Sequence, residues 1–260
     1  MNRHERHTAL LELLAERHRV EVEPVAAELG VSVATVRRDL DHLAEQRLLT
    51  RTRGGAVAHS VAYELPLRYK AVRRAAEKER IARAAAALVE PGMVVGVNGG
   101  TTTTEVARAL ATRADLRGSP EEPAFTLVTN ALNIAHELAV RPHVKTVTTG
   151  GVAMHHSYEL VGPLTRHILA EVSLDLAFLG VDAVDAREGA SAHSEHEASV
   201  NALLAERARR LVVVADSSKL GARAFARICP PGAIATLITD TGADGRTAGF
   251  TELGVTVVMV

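Results

Sequence analysis

The chain has 260 residues, of which 47% are hydrophobic and 23% are charged, and its 30 Lys and Arg side chains nearly balance 31 Asp and Glu side chains. This composition is that of a globular protein, so it excludes wholesale disorder and a collagen-like repeat. The length predicts one or two domains, each able to bury a hydrophobic core.

The net charge of −1 hides a difference between the two ends of the chain. Residues 1–80 carry 15 basic and 12 acidic side chains, a net charge of +3, whereas the remainder carries 15 and 19, a net charge of −4. Such an asymmetry indicates two parts with different tasks. The single cysteine, Cys229, excludes an intrachain disulfide and a cysteine-rich zinc site. The N-terminus is too charged for a signal peptide and no uncharged apolar run is long enough for a membrane helix, so we expect a cytoplasmic protein.

Three helices and a hairpin are predicted in the first part of the chain. Apolar side chains at helical spacing place the first helix over about 5–17, and a short extended piece follows at 20–22. The second helix begins near Pro24 and ends at Gly30, and Ser32 caps a third helix with the sequence VATVRRDLDHLAEQ. The short link between the last two helices is typical of a helix-turn-helix, and the segment LLTRTRGGAV predicts a β-hairpin wing.

The third helix separates an apolar face from a basic one. Val36, Leu40 and Leu43 follow the i, i+4, i+7 spacing of a buried face, which turns Arg37 and Arg38 away from the core. Arginine reads guanine edges with two hydrogen bonds and neutralises phosphate, so this face favours contact with DNA. A purely structural three-helix bundle would explain the apolar spacing equally well, but it would not explain the arginines.

The stretch VSVATVRRDLDHLAEQRLLTRTRGGAV resembles the winged helix-turn-helix of the DeoR family of bacterial transcriptional regulators. The family pattern of a serine, then Thr-[Val/Ile]-Arg-Arg-Asp-Leu, then a wing ending in Gly-Gly-Ala stands here at positions 32, 35–40 and 54–56. Arg47 departs from it, since a glycine usually ends the recognition helix. The DNA-binding residues that we predict are Ser32, Thr35, Arg37, Arg38, Arg51 and Arg53.

A linker and a second domain follow. Residues 58–76 lack a steady period and contain Pro66, so we predict a linker between a DNA-binding domain at 1–57 and a second domain at 77–260. The linker cations could face DNA phosphate or simply solvent. From residue 77, helical segments alternate with near-continuous apolar strands, which predicts a Rossmann-like α/β domain with a parallel sheet covered on both faces. Ligands of such sheets bind at the carboxyl ends of the strands.

The first of these strands runs into Asn98-Gly99-Gly100 and a helix that opens with four threonines. Glycines allow close approach to the backbone, and a helix N-terminus offers N–H groups and a favourable dipole to an anion. The hydroxyl groups of Thr101, Thr102 and Thr103 add donors, so we predict a phosphate cradle. A helix cap with a flexible turn is the alternative. The segment matches neither a nucleotide P-loop nor GxGxxG.

Further polar side chains follow other predicted strands. Asn130 and Asp182 could bind sugar hydroxyl groups, and Lys219 could pair with a phosphate. Each also has a structural interpretation, as a helix cap, a turn former and a solvated surface charge. The sequence therefore predicts a ligand site at this edge of the sheet without excluding those roles.

Segments such as GGTTTTEVA, VTNALNIA, LDLAFLGVD and VVVADSSKLG resemble successive motifs of the DeoR C-terminal sensor domain over about 77–225. The family usually has Asp-Ser where Asn98-Gly99 stands, so this chain lacks a carboxylate and a hydroxyl there. The resemblance implies a sugar-phosphate effector, and Lys78 and Glu197 also match family positions. The effector-binding residues that we predict are Asn98, Gly100, Thr101, Thr102, Thr103, Asn130, Asp182, Lys219, Lys78 and Glu197.

The sensor fold also resembles ribose-5-phosphate isomerase, which raises an enzyme hypothesis. Asp182 and Asp185 of GVDAVD could act as acid and base on a sugar carbon. The isomerase places Lys-Gly-Gly-Gly soon after, whereas this chain has Arg187-Glu188-Gly189, and a fused winged helix has no use in a simple isomerase. We therefore predict no enzyme and no cofactor, with an isomerase-like enzyme as the alternative.

Two histidines raise the question of a metal. His193 and His196, at i and i+3, could ligate a metal ion, but two nitrogens are fewer than most metal sites use. Hydrogen bonding to a ligand or a solvated helix start fits them better, and we predict no metal site.

These observations together predict a transcriptional repressor of a sugar-catabolism operon. A double-stranded DNA operator and a phosphorylated sugar are the expected partners, with no membrane partner. A single winged helix reads too few base pairs for useful specificity, so we expect a homodimer or homotetramer.

Overall fold

The computed structural model describes residues 2–17, 19–46, 48–57 and 73–260, and the chain divides into two compact units, Met1–Arg73 and Arg74–Val260. Residues 58–72 of the predicted linker lie outside the described residues, as does Arg47. Within the described residues no helix is long and apolar enough to cross a bilayer.

The N-terminal unit is a winged helix-turn-helix. Its elements are α1 (Arg3–Arg17), β1 (Arg19–Glu21), α2 (Val22–Glu28), α3 (Val33–Glu45), β2 (Thr50–Thr52) and β3 (Gly55–Val57). Gly30 stands just after α2 with a φ of +64°, a conformation that glycine adopts without strain, and the Ser32 hydroxyl caps α3. The predicted helices and the wing hairpin are confirmed.

The extended piece before α2 is a β-strand that pairs with the wing, which the sequence did not predict. Strand β1 pairs antiparallel with β3, with Val20 opposite Ala56, so the wing is a three-stranded sheet in the order β1-β3-β2. Val22, predicted as part of the extended piece, instead opens α2. The buried face of α3 then packs into one core through Val36, Leu40 and Leu43.

The C-terminal unit alternates helices and strands, as predicted. Its elements in chain order are α4 (Ala75–Ala86), β4 (Val94–Val97), α5 (Thr101–Thr112), β5 (Phe125–Thr129), α6 (Leu132–Leu138), β6 (Val144–Thr148), β7 (Val152–Ala153), β8 (Leu160–Val161), α7 (Pro163–Ala170), β9 (Leu174–Leu179), β10 (Ala183–Asp185), β11 (Gly189–Ala192), α8 (Glu195–Arg207), β12 (Ala208–Val214), β13 (Ala226–Cys229), β14 (Thr236–Thr239), α9 (Ala248–Glu252) and β15 (Thr256–Met259).

Seven of these strands form one parallel sheet in the order β15-β14-β12-β9-β4-β5-β6. One buried cluster, which includes Ile81, Leu110 and Ile134, joins α4, α5 and α6 to the sheet. A second cluster, which includes Leu169 and Leu204, joins α7 and α8 to it. Apolar side chains on both faces of each central strand produce the near-continuous hydrophobic runs from which the fold was predicted.

The short helix α9 and two small antiparallel additions to the sheet were not predicted. Strands β7 and β8 form a hairpin, and β10, β11 and β13 form a three-stranded sheet. Segments of two to four residues are too short to show a period-2 pattern, which is why the sequence did not indicate them.

Candidate functional site

The start of α3 presents the predicted reading residues on its exposed side. Arg37 and Arg38 are exposed, and the Nε of Arg38 donates to the carbonyl of Ala34 at 3.3 Å. The Ser32 hydroxyl accepts from the Thr35 backbone N–H at 3.1 Å and lies 2.8 Å from the Thr35 hydroxyl. Ser32 and Thr35 therefore serve first to start the helix, while the two arginines point from its first turns toward solvent.

The acid that follows these arginines turns inward. Asp39 is 4% exposed, and its carboxylate accepts from Arg6 Nε at 2.5 Å, Arg6 Nη2 at 3.1 Å and His7 Nε2 at 3.0 Å. Burial alone would raise the pKa of Asp39, but the hydrogen bonds from Arg6 and His7 outweigh it and hold that pKa below its ordinary value. Asp39 is therefore an anion neutralised by α1 and does not oppose the charge of Arg37 and Arg38.

The two wing arginines have different surroundings. Arg51 donates from Nε to Asp41 Oδ1 at 2.7 Å and from Nη1 to the carbonyl of Gly55, so it ties the wing to α3. Arg53 lies exposed in the turn between β2 and β3. Of the two, Arg53 is the one whose guanidinium faces solvent.

The predicted cradle lies at a topological switch point of the sheet. Strand β4 has β5 on one side and β9 on the other, so the chain leaves β4 where the order of strands reverses. Ligands of open α/β sheets bind in the crevice at such a point, beyond the carboxyl ends of the strands. The Asn98–Thr103 segment follows β4 and the Gly180–Asp182 segment follows β9, so both stand at this crevice.

Asn98 clamps these two segments together. Its Nδ2 donates to the carbonyl of Gly180 at 3.0 Å, and its Oδ1 accepts from the Gly180 N–H at 2.8 Å. The side chain is 1% exposed, so both ends of the amide are occupied within the fold. An aspartate could accept but not donate here, which gives a physical reason for asparagine at this position.

The threonines at the start of α5 divide into two pairs. The hydroxyls of Thr103 and Thr104 both donate to the carbonyl of Gly100, at 3.2 and 2.7 Å, and so complete the helix start. Thr101 is partly exposed and Thr102 is 8% exposed. The first N–H groups of a helix have no partner within it, so Thr101 and Thr102 combine with them as the donors suited to an anion.

A buried carboxylate that was not predicted lies at the same point. Glu159, just before β8, is 3% exposed and accepts from Asn130 Nδ2 at 3.1 Å and from the Gly99 N–H. Burial and the negative charges of Glu197 and Asp182 raise its pKa well above its ordinary value, against the opposing hydrogen bond from Asn130. Its position in a two-stranded hairpin, about 30 residues from Asn130, left no pattern that could have revealed it in the sequence.

The other predicted acids surround Glu159. Glu197, in the first turn of α8, accepts from the Ser157 hydroxyl at 2.6 Å and lies 3.2 Å from His156 Nε2. Asp182 accepts from the backbone N–H of His193 at 2.9 Å. Asn130 bonds to Glu159 directly, and Asp182 and Glu197 lie close enough for their charges to raise the pKa of Glu159, so the structure brings these residues into one region.

The histidines and Asp185 have other surroundings. His196 is exposed and lies 3.7 Å from Glu195, and no group of three or more His, Cys, Asp or Glu side chains suited to a metal occurs among the described residues. Asp185 accepts from the backbone N–H groups of Arg187 and Glu188, so its carboxylate stabilises the turn between β10 and β11.

The two predicted lysines, Lys78 and Lys219, lie on segments that contact each other, α4 and the turn after β12. Lys219 is partly exposed in the 3-10 turn after β12, and Lys78 is 4% exposed on α4. Arg74, just before α4, donates to the Ser217 hydroxyl at 2.9 Å and lies 3.8 Å from Asp216. That contact ties the start of α4 to the strand end that carries Lys219.

Comparison with known proteins places both units in one family. Residues 6–61 match the DeoR-like helix-turn-helix domain, and residues 73–241 match the DeoR C terminal sensor domain. The HTH-type transcriptional regulator GlpR of Haloferax volcanii is 36% identical over 98% of this chain and 96% of its own length. The glycerol-3-phosphate regulon repressor of Escherichia coli K12 is 30% identical over 92% of each chain. Among solved structures, ribose 5-phosphate isomerase A from Methanocaldococcus jannaschii aligns with 55% of this chain and 52% of its own, at 24% identity and a TM-score of 0.39.

Proposed function

Because the chain belongs to the DeoR family of transcriptional regulators, we propose that it represses an operon for carbohydrate catabolism and that a phosphorylated sugar modulates its binding to the operator. The observation that carries the proposal is the presence in one chain of a winged helix-turn-helix with exposed arginines on its third helix and, in a separate unit, a glycine- and threonine-rich helix start at a sheet switch point. The relatives' names support it, since one is a glycerol-3-phosphate regulon repressor.

The DNA-binding surface of this proposal is the exposed side of α3 with the tip of the wing. Arg37 and Arg38 read base edges in the major groove, and Arg53 contacts phosphate or the minor groove. Ser32 and Thr35 start the helix and place its N-terminal N–H groups toward the DNA backbone. Arg51 holds the wing against α3 through Asp41.

The effector site of this proposal has an anionic end and a hydroxyl-binding end. Gly100, Thr101 and Thr102 receive the phosphate at the start of α5, with Lys219 and Lys78 as the supporting cations. Asn130, Asp182 and Glu197 accept hydrogen bonds from sugar hydroxyl groups. Asn98 and Thr103 act indirectly, because their side chains hold the Gly180 backbone and the helix start in place.

The regulator acts as a homodimer or homotetramer, because useful specificity requires two half-sites. Effector binding shifts the population of arrangements that the two DNA-binding units can adopt, and so changes the half-site spacing that the oligomer fits. Only a ligand that binds one arrangement better than the other can do this.

A thermal-shift screen of sugar phosphates, followed by DNA-binding measurements with each hit, tests the proposal. We expect one phosphorylated sugar to raise the midpoint of unfolding at micromolar concentration and to change operator affinity. The unphosphorylated sugar is the matched control and should do neither. Turnover of a pentose or hexose phosphate that Asp182→Asn abolishes would instead favour the isomerase-like alternative.

A further inference from the structure

A cleft of about 350 Å³ lies between the start of α1 and the first half of α3 in the N-terminal unit. Its lining residues are Arg3, Arg6, Thr35, Arg38 and Asp39. Two of them belong to the predicted DNA-reading surface, and two come from a helix to which no DNA contact has been assigned. The cleft therefore extends the reading surface onto α1.

Asp39 is the residue that joins α1 to α3 beside this cleft. Its buried carboxylate binds two nitrogens of the Arg6 guanidinium and Nε2 of His7, which fixes the first turns of α1 against α3. Arg3 lies one turn before Arg6 and is exposed, close enough to His7 for its charge to contribute to lowering the pKa of that imidazole. Arg3 therefore stands on the turn of α1 that the partly buried Arg6–Asp39 ion pair holds beside the reading helix.

The charge of the cleft suits a single anion. Three arginines line it against one carboxylate, which gives a formal charge of +2. Arg6 is already bonded to Asp39, whereas Arg3 and Arg38 present their charges at the exposed surface. Arginine binds phosphate oxygens with paired hydrogen bonds, and phosphate and sugar contacts position most DNA-binding proteins on the duplex.

We propose that a phosphate of the operator backbone enters this cleft and is held by Arg3, with Arg6 and Thr35 positioned behind it. The contact is independent of base sequence and fixes the angle at which α3 lies in the major groove. It places α1 among the DNA-binding elements, beside α3 and the wing.

The salt dependence of DNA binding tests the proposal in the full chain. Binding to two duplexes of unrelated sequence is measured for the wild type and Arg3→Gln over roughly 50 to 200 mM KCl. Losing one phosphate contact should flatten the slope of log K against log salt by about 0.9 per protomer, so the loss of affinity over this range becomes roughly 3.5-fold smaller for each protomer bound to the DNA. The affinity should fall by the same factor for both duplexes, because a phosphate carries no base identity.

Two further variants and a matched control complete the test. Arg3→Lys keeps the charge and should keep the slope, whereas Arg3→Glu should flatten it more than Arg3→Gln. Arg17→Gln, at the other end of α1 and bonded to Glu28 at 2.8 and 2.9 Å, should leave the slope unchanged. The proposal is wrong if Arg3→Gln and Arg3→Glu behave like Arg17→Gln, or if the two duplexes lose affinity by different factors.

Discussion

The carboxylate of Glu159 occupies the space into which any side chain on Gly99 would project. A Cβ atom built on Gly99 would stand 2.4 Å from Glu159 Cγ and 2.8 Å from its Oε1. The DeoR family usually has serine at that position, a side chain for which Glu159 on the β7–β8 hairpin leaves no room here. The absence of a side chain on one segment makes room for a carboxylate from the other.

Gly99→Ser should therefore destabilise the C-terminal unit. The new side chain must push Glu159 away, which breaks its hydrogen bond with Asn130 and leaves buried polar atoms without partners. Each such atom costs about 1–3 kcal/mol. The free energy of unfolding in urea measures the effect.

A double-mutant cycle provides the control for this prediction. In Gly99→Ser combined with Glu159→Ala the obstructing side chain is absent, so the two substitutions together should cost clearly less than the sum of the single variants. Additive costs would show that the two positions do not interact.

Gly99 follows a strand that the sequence predicts, whereas Glu159 lies in a hairpin that it does not predict. The longer helices follow from apolar periodicity and the seven central strands from short apolar runs, because these elements bury large apolar surfaces, and the polar residues after β4 led to the prediction of a cradle. The β7–β8 hairpin has two residues in each strand and no period, yet it brings Glu159 to Gly99 from 60 positions away.

The position of Asn98 could be predicted from the sequence, but its role could not. The sequence placed it at the right strand end, but an amide suits a ligand and a backbone clamp equally well. In the folded protein both polar atoms of its amide are bonded to Gly180. Tertiary partners decide the role of a polar side chain, and a single sequence does not contain them.

Thr102→Val tests the anion cradle. Valine has nearly the shape of threonine but no hydroxyl, so it removes one donor without opening a cavity. We expect the effector to lose about 1.5–3 kcal/mol of binding free energy, as for a hydrogen bond to a charged group, while DNA affinity without effector stays unchanged. Isothermal titration with the effector from the thermal-shift screen measures the first quantity.

Thr112→Val is the matched control, at the exposed C-terminal end of the same helix, where the hydroxyl bonds only to backbone carbonyls of that helix. It should leave effector affinity unchanged. If Thr102→Val binds the effector as tightly as the control does, the phosphate does not contact this hydroxyl.

Arg38→Ala and Arg51→Ala should weaken operator binding for different reasons. Arg38 is exposed and reads a base in our proposal, so its removal should cost about 1–3 kcal/mol of specific binding and relax the preference at one base position. Arg51 holds the wing to α3, so Arg51→Ala should also lower the resistance of β2 and β3 to hydrogen exchange. The change in base preference of Arg38→Ala is measured by selecting bound duplexes from a pool of random operator sequences. An unchanged base preference in Arg38→Ala would remove Arg38 from the reading residues.

His7 should make the N-terminal unit less stable in mild acid. Burial lowers the pKa of His7 below its ordinary value of about 6.5, only partly offset by the hydrogen bond to Asp39. The folded state therefore binds fewer protons than the unfolded state. The stabilisation that His7 contributes is fully present above the pKa of His7 in the unfolded state. It is lost as the pH falls from about 6.5 toward the lower pKa of His7 in the folded state. Protection of α3 amides against hydrogen exchange, corrected for intrinsic rates, should fall over this range.

His7→Gln separates this titration from every other one in the chain. Glutamine keeps a donor for Asp39 but does not ionise, so the fall in protection between neutral pH and pH of about 5 should become shallower. Asp39, whose pKa is held below its ordinary value near 3.9, should stay charged throughout that range, and its own loss of stabilisation belongs to lower pH. The same pH dependence in both proteins would mean that His7 titrates alike in the folded and unfolded states, because a group affects stability only through a difference between them.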